Sequence, residues 1–199
     1  MPTSSPPRIG CLVMAAGNAQ RFGENKLSAH FHGATLIERT LNAIPPELFF
    51  AVTGVTQYEQ IEQLAAVHGF AAIHNAQPEL GVGHTIRLGT EAMSACDGIL
   101  YLVADQPMLS MNSIRQIVEA WKKTPQQIVG ASHGGKHGNP NLFPARFFPA
   151  LMALEGDRGG NRVIMANPDA FVPVELPALE LADCDTPQAL ADLTEAVKA

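Results

Sequence analysis

The sequence predicts an α/β fold, a three-layer Rossmann-like domain in which helices cover both faces of a mainly parallel sheet. Continuous apolar runs at 9–15 and 98–104 are typical of strands buried on both faces. Segments with apolar residues at helical intervals alternate with such runs. Hydrophobic residues make up 46% of the 199 residues and charged residues 16%, which allows one sizeable core.

Strands and helices alternate through the first two thirds of the chain. We expect strands at 9–15, 48–52, 70–73, 98–104 and 128–131, with helices at 36–44, 61–68, 83–95 and 114–121 between them. Crowded Gly and Pro residues from about Ser132 indicate irregular structure or a hairpin across the sheet edge. Short helices near 151 and 163–165, a strand at 171–174 and a helix opened by Pro187 complete the prediction.

Composition argues against several classes of protein. The net charge of -6 and pI near 5.6 do not favour a nucleic-acid partner, which rewards clustered Lys and Arg. The three cysteines lie far apart and have no CxxC spacing, which argues against a structural zinc site and against a disulfide framework. We therefore expect the protein to work in the reducing cytoplasm. The apolar run at 9–16 is too short to span a bilayer, and residues 1–8 are expected to form a flexible tail. We therefore expect no membrane association.

The loop after the first predicted strand is the strongest local signal. It runs from Ala15 through Gly17, Arg21 and Lys26, at the sheet edge where open α/β folds bind ligands. Gly17 permits close backbone approach to phosphate, and the two cations add charge. Neither the Walker pattern GxxxxGK[ST] nor GxGxxG fits this loop. Alone, it is equally compatible with an ordinary surface loop.

Two carboxylates are candidate ligands of Mg²⁺. Asp105 follows the clearest predicted strand, and Mg²⁺ prefers one or two carboxylates together with phosphate oxygens. Asp185 precedes the last predicted helix and would be the second carboxylate. Either residue has a simpler interpretation, since Asp105 suits a turn or cap, and Asp185 or Thr186 suits the N-cap of the last helix. Glycines at 81–83 let the next helix N-terminus approach a ligand or simply form a loop.

Six motifs, in this order along the chain, resemble those of the MobA/MocA-like molybdenum cofactor nucleotidyltransferase family. The family pattern LAAGxSxRFGxxK corresponds to MAAGNAQRFGENK at 14–26, and N…GMGxSLxxG corresponds to Asn75 and GVGHTIRLG at 81–89. The remaining four are LVADQP at 102–107, GNPNLF at 138–143, GDRGGNR at 156–162 and DCDTP at 183–187. Asn161 shifts Arg162 one place from the family's basic residue, and Gln20 receives no role.

The resemblance implies a nucleotide-diphospho-sugar transferase-like fold and assigns roles to individual residues. Residues 9–199 would form one nucleotidyltransferase domain, with a nucleotide-binding part at 9–131 and an acceptor-binding part at 132–199. Lys26, Arg21 and Asp105 would be catalytic, and Asp105 and Asp185 would bind Mg²⁺. The nucleotide would contact Ala15, Ala16, Gly17, Arg21, Lys26, Asn75, Gly83 and Thr85. The acceptor would contact Gly138, Pro140, Asp157 and Arg162.

Within the family, Ala rather than Gly before the loop glycine favours CTP over GTP, which is what Ala16 implies here. The expected reaction transfers CMP to a molybdopterin-type cofactor that a molybdoenzyme could then receive, with release of pyrophosphate. A sugar phosphate or other phosphorylated acceptor is the alternative substrate, and a non-catalytic cofactor-binding accessory protein is the alternative class. His133 and His137 are interpreted as loop histidines, because no helical face presents them together.

Overall fold

The structure is a computed structural model that describes residues 5–17 and 25–197. Its central element is a seven-stranded sheet with the strand order β5-β4-β1-β6-β8-β7-β9, and β2 and β3 form a separate two-stranded ladder. The strands are β1 (Ile9–Ala15), β2 (His30–Phe31), β3 (Ala34–Thr35), β4 (Ala51–Thr56), β5 (Ala71–His74), β6 (Gly98–Val103), β7 (Ile128–His133), β8 (Lys136–Pro144) and β9 (Phe171–Glu175). The α-helices are α1 (Leu36–Ala43), α2 (Glu59–Val67), α3 (Val82–Ala92), α4 (Met111–Lys123), α5 (Phe148–Met152), α6 (Asn161–Ala166) and α7 (Pro187–Ala196).

Strand direction divides the sheet into two halves. The parallel half consists of β5, β4, β1 and β6, with β1 paired in parallel to both β4 and β6. The mixed half consists of β8, β7 and β9, in which β8 runs antiparallel to β6 and β7 while β9 is parallel to β7. The prediction of a mainly parallel sheet is therefore confirmed.

Helices cover both faces of the sheet because the side chains of a strand alternate between its two sides. Cys11 and Val13 of β1 pack in one apolar cluster with residues of α1, α2 and α4. Leu12 lies in a second cluster with residues of α3, α5 and α6. Phe31, Leu36, Cys184 and Leu193 form a third, smaller cluster, which packs α7 against the β2–β3 ladder and α1.

Two predicted elements are corrected by the structure. The second strand is Ala51–Thr56 rather than 48–52, because Pro45 and Pro46 lead into a 3-10 turn at Pro46–Leu48. The hairpin of β7 and β8 is inserted within the sheet, between β6 and β9, rather than across the sheet edge. Gly and Pro residues in β8 conceal a strand whose last five residues are buried.

Candidate functional site

A cavity of about 610 Å³ opens at the carboxyl ends of β1 and β6. In open α/β sheets this edge is where ligands bind, because loops from neighbouring strands converge there. The described residues that line it are Met14, Ala15, Ala16, Gly17, Lys26, Leu27, Pro78, Glu79, Gly81, Val82, Thr85, Val103, Ala104, Asp105, Asp157 and Asp185. The cavity is therefore built from loops that lie far apart in sequence.

The loop after β1 forms one wall of the cavity. Ala15 and Ala16 are buried, whereas Gly17 is exposed at the start of the loop. Gln57 donates a hydrogen bond from Nε2 to the carbonyl oxygen of Ala16 at 2.9 Å, and the Tyr58 hydroxyl lies 3.5 Å from the Gly17 carbonyl oxygen. The segment between β4 and α2 thus fixes the backbone at Ala16. Residues 18–24, which include Arg21 and Gln20, lie outside the described residues.

Lys26 is the first residue of a short 3-10 helix, Lys26–Ser28. The Asn25 side chain caps this turn by accepting a hydrogen bond from the Leu27 backbone N–H at 3.1 Å. Leu27 itself is only 4% exposed and packs in the core. The backbone of Lys26 is consequently anchored, and its long side chain extends into the cavity.

The Lys26 ammonium lies between the two candidate metal carboxylates. Its Nζ is 2.6 Å from Asp105 Oδ2 and 2.8 Å from Asp185 Oδ1. The Lys26 and Asp105 side chains are 15% and 17% exposed, whereas that of Asp185 is 60% exposed. Two carboxylates 80 residues apart in sequence therefore lie within reach of one cation. Thr186, rather than Asp185, is the N-cap of α7 and accepts from the Ala189 backbone N–H.

Burial and neighbouring charges shift the pKa values of Lys26 and Asp183. Burial opposes the charged form of Lys26, but the charge and hydrogen bond of Asp105, aided by Asp185, raise the pKa of the ammonium above its ordinary value. Loss of solvent and then the negative charge of Asp105 raise the pKa of Asp183 to about 6, against the opposing hydrogen bond from Gln106. The ammonium is thus fixed as a cation, and the carboxylates repel one another where no cation intervenes.

The start of α3 contributes a second wall. Thr85 lines the cavity, and Asn75 lies fully buried behind it, with its Nδ2 3.4 Å from Thr85 Oγ1. Gly83 is instead packed against the backbone of 154–155, where a Cβ atom would lie 2.7 Å from the Leu154 carbonyl carbon. Gly83 also donates from its N–H to the Gly156 carbonyl oxygen at 2.9 Å. Gly83 therefore joins α3 to the loop that carries Asp157.

The residues predicted to bind the acceptor are dispersed in the structure. Asp157 lines the cavity, and Arg162 is exposed on α6. Gly138 and Pro140 lie within β8, and the Gly138 backbone packs closely against Leu181. Among the described residues, the cavity lining includes none from β8. The structure thus brings Asp157 to the cavity with Lys26, Asp105 and Asp185.

The two predicted loop histidines lie in β7 and β8, on the mixed half of the sheet. His133 Nδ1 is 2.9 Å from the Leu176 carbonyl oxygen and 3.1 Å from Glu175 Oε1. The His137 ring lies against the Phe171 ring, with centroids 4.2 Å apart. Both histidines thus contact β9 and its following segment rather than each other.

Sequence reasoning missed Gln106 and Asp183, which connect the two carboxylate-bearing segments. Gln106 donates from Nε2 to Asp183 Oδ1 at 2.9 Å and lies 3.2 Å from the Leu181 carbonyl oxygen. Gln106 immediately follows Asp105, and Asp183 lies two residues before Asp185. Proximity to the two candidate ligands was the available signal, but no local pattern indicates that these side chains meet.

The donor set suits a hard divalent cation. Within residues 5–17 and 25–197, no group of three or more His, Cys, Asp or Glu side chains is arranged to hold a metal. The Asp105 and Asp185 carboxylates nevertheless both contact the Lys26 ammonium, so they lie close enough to face one cation. Proteins commonly hold Mg²⁺ with one or two carboxylates together with substrate phosphates. The residues present therefore fit Mg²⁺ bound together with a triphosphate. In the described part of the chain, no helix is both long and apolar enough to cross a membrane.

Comparison with known proteins decides the family. A model of the MobA-like NTP transferase domain matches residues 11–171. The chain belongs to the MobA-like NTP transferase family. It is a nucleotidyltransferase, and the expected resemblance to that group is confirmed. This MobA-like chain is 31% identical to the purine catabolism protein PucB of Bacillus subtilis over 198 residues, covering 92% of this chain and 94% of PucB.

Two further comparisons extend the family assignment. A probable molybdenum cofactor guanylyltransferase of Rhodopirellula baltica is 26% identical over 136 residues, which cover 65% of this chain and 63% of that protein. The structure of Rv0371C from Mycobacterium tuberculosis in complex with manganese has a TM-score of 0.76 at 19% identity, covering 95% of this chain and 99% of that chain. At that identity the structural likeness shows the shared fold alone.

Proposed function

We propose that this MobA-like nucleotidyltransferase transfers CMP from CTP to the phosphate of a molybdopterin-type cofactor and releases pyrophosphate. The names of its relatives support this acceptor, because one is a probable molybdenum cofactor guanylyltransferase. Three free, buried cysteines are consistent with work in a reducing cytoplasm, where a molybdoenzyme would receive the product.

The observation that carries the proposal is the ion-paired cluster of Lys26, Asp105 and Asp185 in the cavity. In the proposed complex, Asp105 and Asp185 would hold Mg²⁺, which would neutralise charge on the phosphate oxygens. The Rv0371C structure is a complex with manganese, a divalent cation, and this precedent supports a divalent metal here. Lys26 then leaves the carboxylates and binds the triphosphate, together with Arg21.

The chain needs no general base for this reaction. A phosphate monoester has a second pKa of about 6, so the acceptor oxygen is already ionised at neutral pH. That oxygen forms a bond to the α-phosphorus while the bond between the α-phosphorus and its bridging oxygen to the β-phosphate breaks. Lys26 and Arg21 stabilise the negative charge that accumulates on pyrophosphate. Positioning of the acceptor oxygen against the α-phosphorus supplies the remaining rate enhancement.

Ala16 supports CTP as the nucleotide. Ala16 is 3% exposed and lines the cavity, and its carbonyl oxygen accepts a hydrogen bond from Gln57. A methyl group on this fixed backbone narrows the space for a base, which favours a pyrimidine over a purine. We expect Ala16→Gly to raise the ratio of GTP to CTP turnover, and an unchanged ratio would remove Ala16 from base selection.

We propose that loop and strand residues of the mixed half bind the acceptor. Asp157 faces the cavity beside Gly81, which has a φ of 84° and packs against the backbone of Gly156. Arg162 follows on α6 and adds a cation near this loop. Gly138 and Pro140 lie in β8, and the Gly138 backbone packs against Leu181, so Gly138 contributes to acceptor binding through Leu181 and its neighbours.

Pyrophosphate release tests the proposal directly. Purified protein is supplied with Mg²⁺, with CTP, GTP or ATP, and with molybdopterin or a sugar phosphate. Release with CTP and molybdopterin supports the full proposal, whereas release with GTP corrects the base alone. Release only with a sugar phosphate moves the function to another acceptor, and no release with any combination contradicts the proposed reaction. For the Asp105→Asn variant in the same assay, Asp169→Asn is the matched control, because Asp169 lies on an exposed turn before β9.

A further inference from the structure

Two hydrogen-bonded connections join the segment after β6 to the segment before α7. The Cys184 backbone N–H donates to the Asp105 carbonyl oxygen at 2.9 Å. Beside it, the Gln106 amide donates to Asp183 Oδ1 at 2.9 Å and lies 3.2 Å from the Leu181 carbonyl oxygen. Gln106 is only 3% exposed, so this side chain is enclosed between the two segments.

The orientation of the Gln106 amide is determined by its acceptors. Both partners of its nitrogen are oxygen atoms, one of them in a carboxylate, so the reversed amide would place oxygen against oxygen. Gln106 Oε1 has no hydrogen-bond partner among the described residues. The side chain therefore acts through its N–H groups, and those contacts lie on the segment that leads to Asp185.

Asp185 depends on this segment for its position. Its side chain is 60% exposed, and its described polar contact is the ion pair with Lys26. Cys184, immediately before it, is fully buried and bound to Asp105, and Thr186, immediately after it, caps α7. Once Lys26 leaves the two carboxylates, as proposed, repulsion among Asp183, Asp185 and Asp105 favours separation of the two segments. The Gln106 hydrogen bonds on the other side of Cys184 oppose that separation.

We propose that Gln106 is a positioning residue whose amide holds residues 181–184 against the end of β6 and thereby sets the separation of the Asp105 and Asp185 carboxylates. This inference rests on the proposed function, because it assumes that those two carboxylates bind the divalent cation. Gln106 touches neither nucleotide nor acceptor in this scheme. It acts through Asp183, in the way that hydrogen-bonded partners of metal ligands fix the orientation of those ligands.

The test measures Mn²⁺ affinity of the nucleotide-free, full-length protein from the electron paramagnetic resonance signal of free Mn²⁺. Gln106→Leu removes both donors at similar volume and is expected to weaken Mn²⁺ binding by at least about tenfold. Gln106→Glu keeps the shape, removes the donors and is expected to weaken binding as well. Asp183→Asn preserves an oxygen acceptor for Gln106 but removes one nearby negative charge, so its Mn²⁺ affinity should fall by less than that of Gln106→Leu.

A stability control separates positioning from general destabilisation. Thr90→Val removes a buried hydroxyl that lies 2.8 Å from the Tyr101 hydroxyl, away from the cavity lining. It should lower the melting temperature and leave Mn²⁺ affinity unchanged. If Gln106→Leu does not fold, Gln106→Asn provides the same test, because its shorter amide cannot reach both acceptors.

The outcomes distinguish this inference from the proposed metal site. Wild-type Mn²⁺ affinity in folded Gln106→Leu, together with loss of binding in Asp105→Asn, overturns the positioning role and leaves the metal site in place. Unchanged Mn²⁺ binding in Asp105→Asn contradicts the metal site itself, and the positioning role fails with it. Weaker binding in both variants, with Asp183→Asn less affected than Gln106→Leu and Thr90→Val near wild type, supports the inference.

Discussion

The parallel and mixed halves of the sheet contribute to the cavity in different ways. The strands of the parallel half and their connections supply lining residues within 14–17, 26–27, 78–85 and 103–105. Among the described residues, the mixed half and its connections supply Asp157 and Asp185, both from loops. Parallel strands bring their carboxyl ends to one edge, whereas the antiparallel β8 carries its carboxyl end away from that edge. The proposed nucleotide side is therefore built at strand ends, and the proposed acceptor side depends on loops that pack against it.

The largest expected effect is that of Asp105, the proposed metal ligand that follows β6 in the parallel half. Asp105→Asn should lower turnover by about 10³-fold, because the proposed Mg²⁺ would no longer be held where it neutralises charge on the reacting phosphates. The fold should persist, since the Asp105 side chain lies at the cavity surface rather than in the apolar clusters. Pyrophosphate release and a melting curve measure the two effects, with Asp169→Asn as control. A large fall in melting temperature with normal turnover would instead support a capping role.

Lys26→Met should separate the two functions of the lysine. Turnover should fall by about 10²-fold, because a cation on the triphosphate is lost. Mn²⁺ affinity of the nucleotide-free protein should rise several-fold, because no ammonium then competes for Asp105 and Asp185. Lys26→Arg keeps the positive charge and serves as the control for metal binding. Equal Mn²⁺ affinity in Lys26→Met and wild type would show that Lys26 and the metal do not compete.

Gly83→Ala tests the contact that joins the two sides of the cavity. A Cβ atom would lie 2.7 Å from the Leu154 carbonyl carbon and 2.9 Å from the Glu155 nitrogen, so backbone must shift. We expect a loss of about 1–3 kcal/mol in the free energy of unfolding, measured with urea. Gly159→Ala is the control, because its nearest neighbour is Val82 Cγ1 at 3.9 Å. A neutral Gly83→Ala would mean that the 154–157 loop moves freely relative to α3.

The smallest expected effect concerns the pH dependence of metal-free stability. The pKa of Asp183 is raised to about 6 in the folded protein, above the unfolded value of about 3.9. The folded state therefore binds this proton more tightly, and the contribution of Asp183 to stability is lost as pH rises through 6. Asp183→Asn should melt at a higher temperature than wild type at pH 8. The difference should vanish near pH 4, and a difference independent of pH would contradict the assignment to Asp183.

Much of the parallel half was predictable from local pattern. The apolar run that predicts β1 matches Ile9–Ala15, and the run at 98–104 matches β6 to within one residue. The β4 boundary was wrong because apolar residues at 48–50 belong to a 3-10 turn and its exit, where Phe50 is 63% exposed. Strand β8 was predicted only as irregular structure or part of a hairpin across the sheet edge, because Gly and Pro interrupt its apolar pattern. The structure pairs β8 on both sides, with β6 and β7.

The sequence by itself determined the alternation of strands and helices, the loop after β1 and the candidate residues at the strand ends. A strand that is buried on both faces consists of a continuous run of apolar residues, so such strands can be recognised from the local sequence. Only the tertiary structure decided that Lys26 meets Asp105 and Asp185, across separations of 79 and 159 residues. It also decided that Gln106 binds Asp183. Such contacts depend on which strands become neighbours and on how loops pack at the strand ends. They cannot be predicted from the periodicity of a short stretch of sequence.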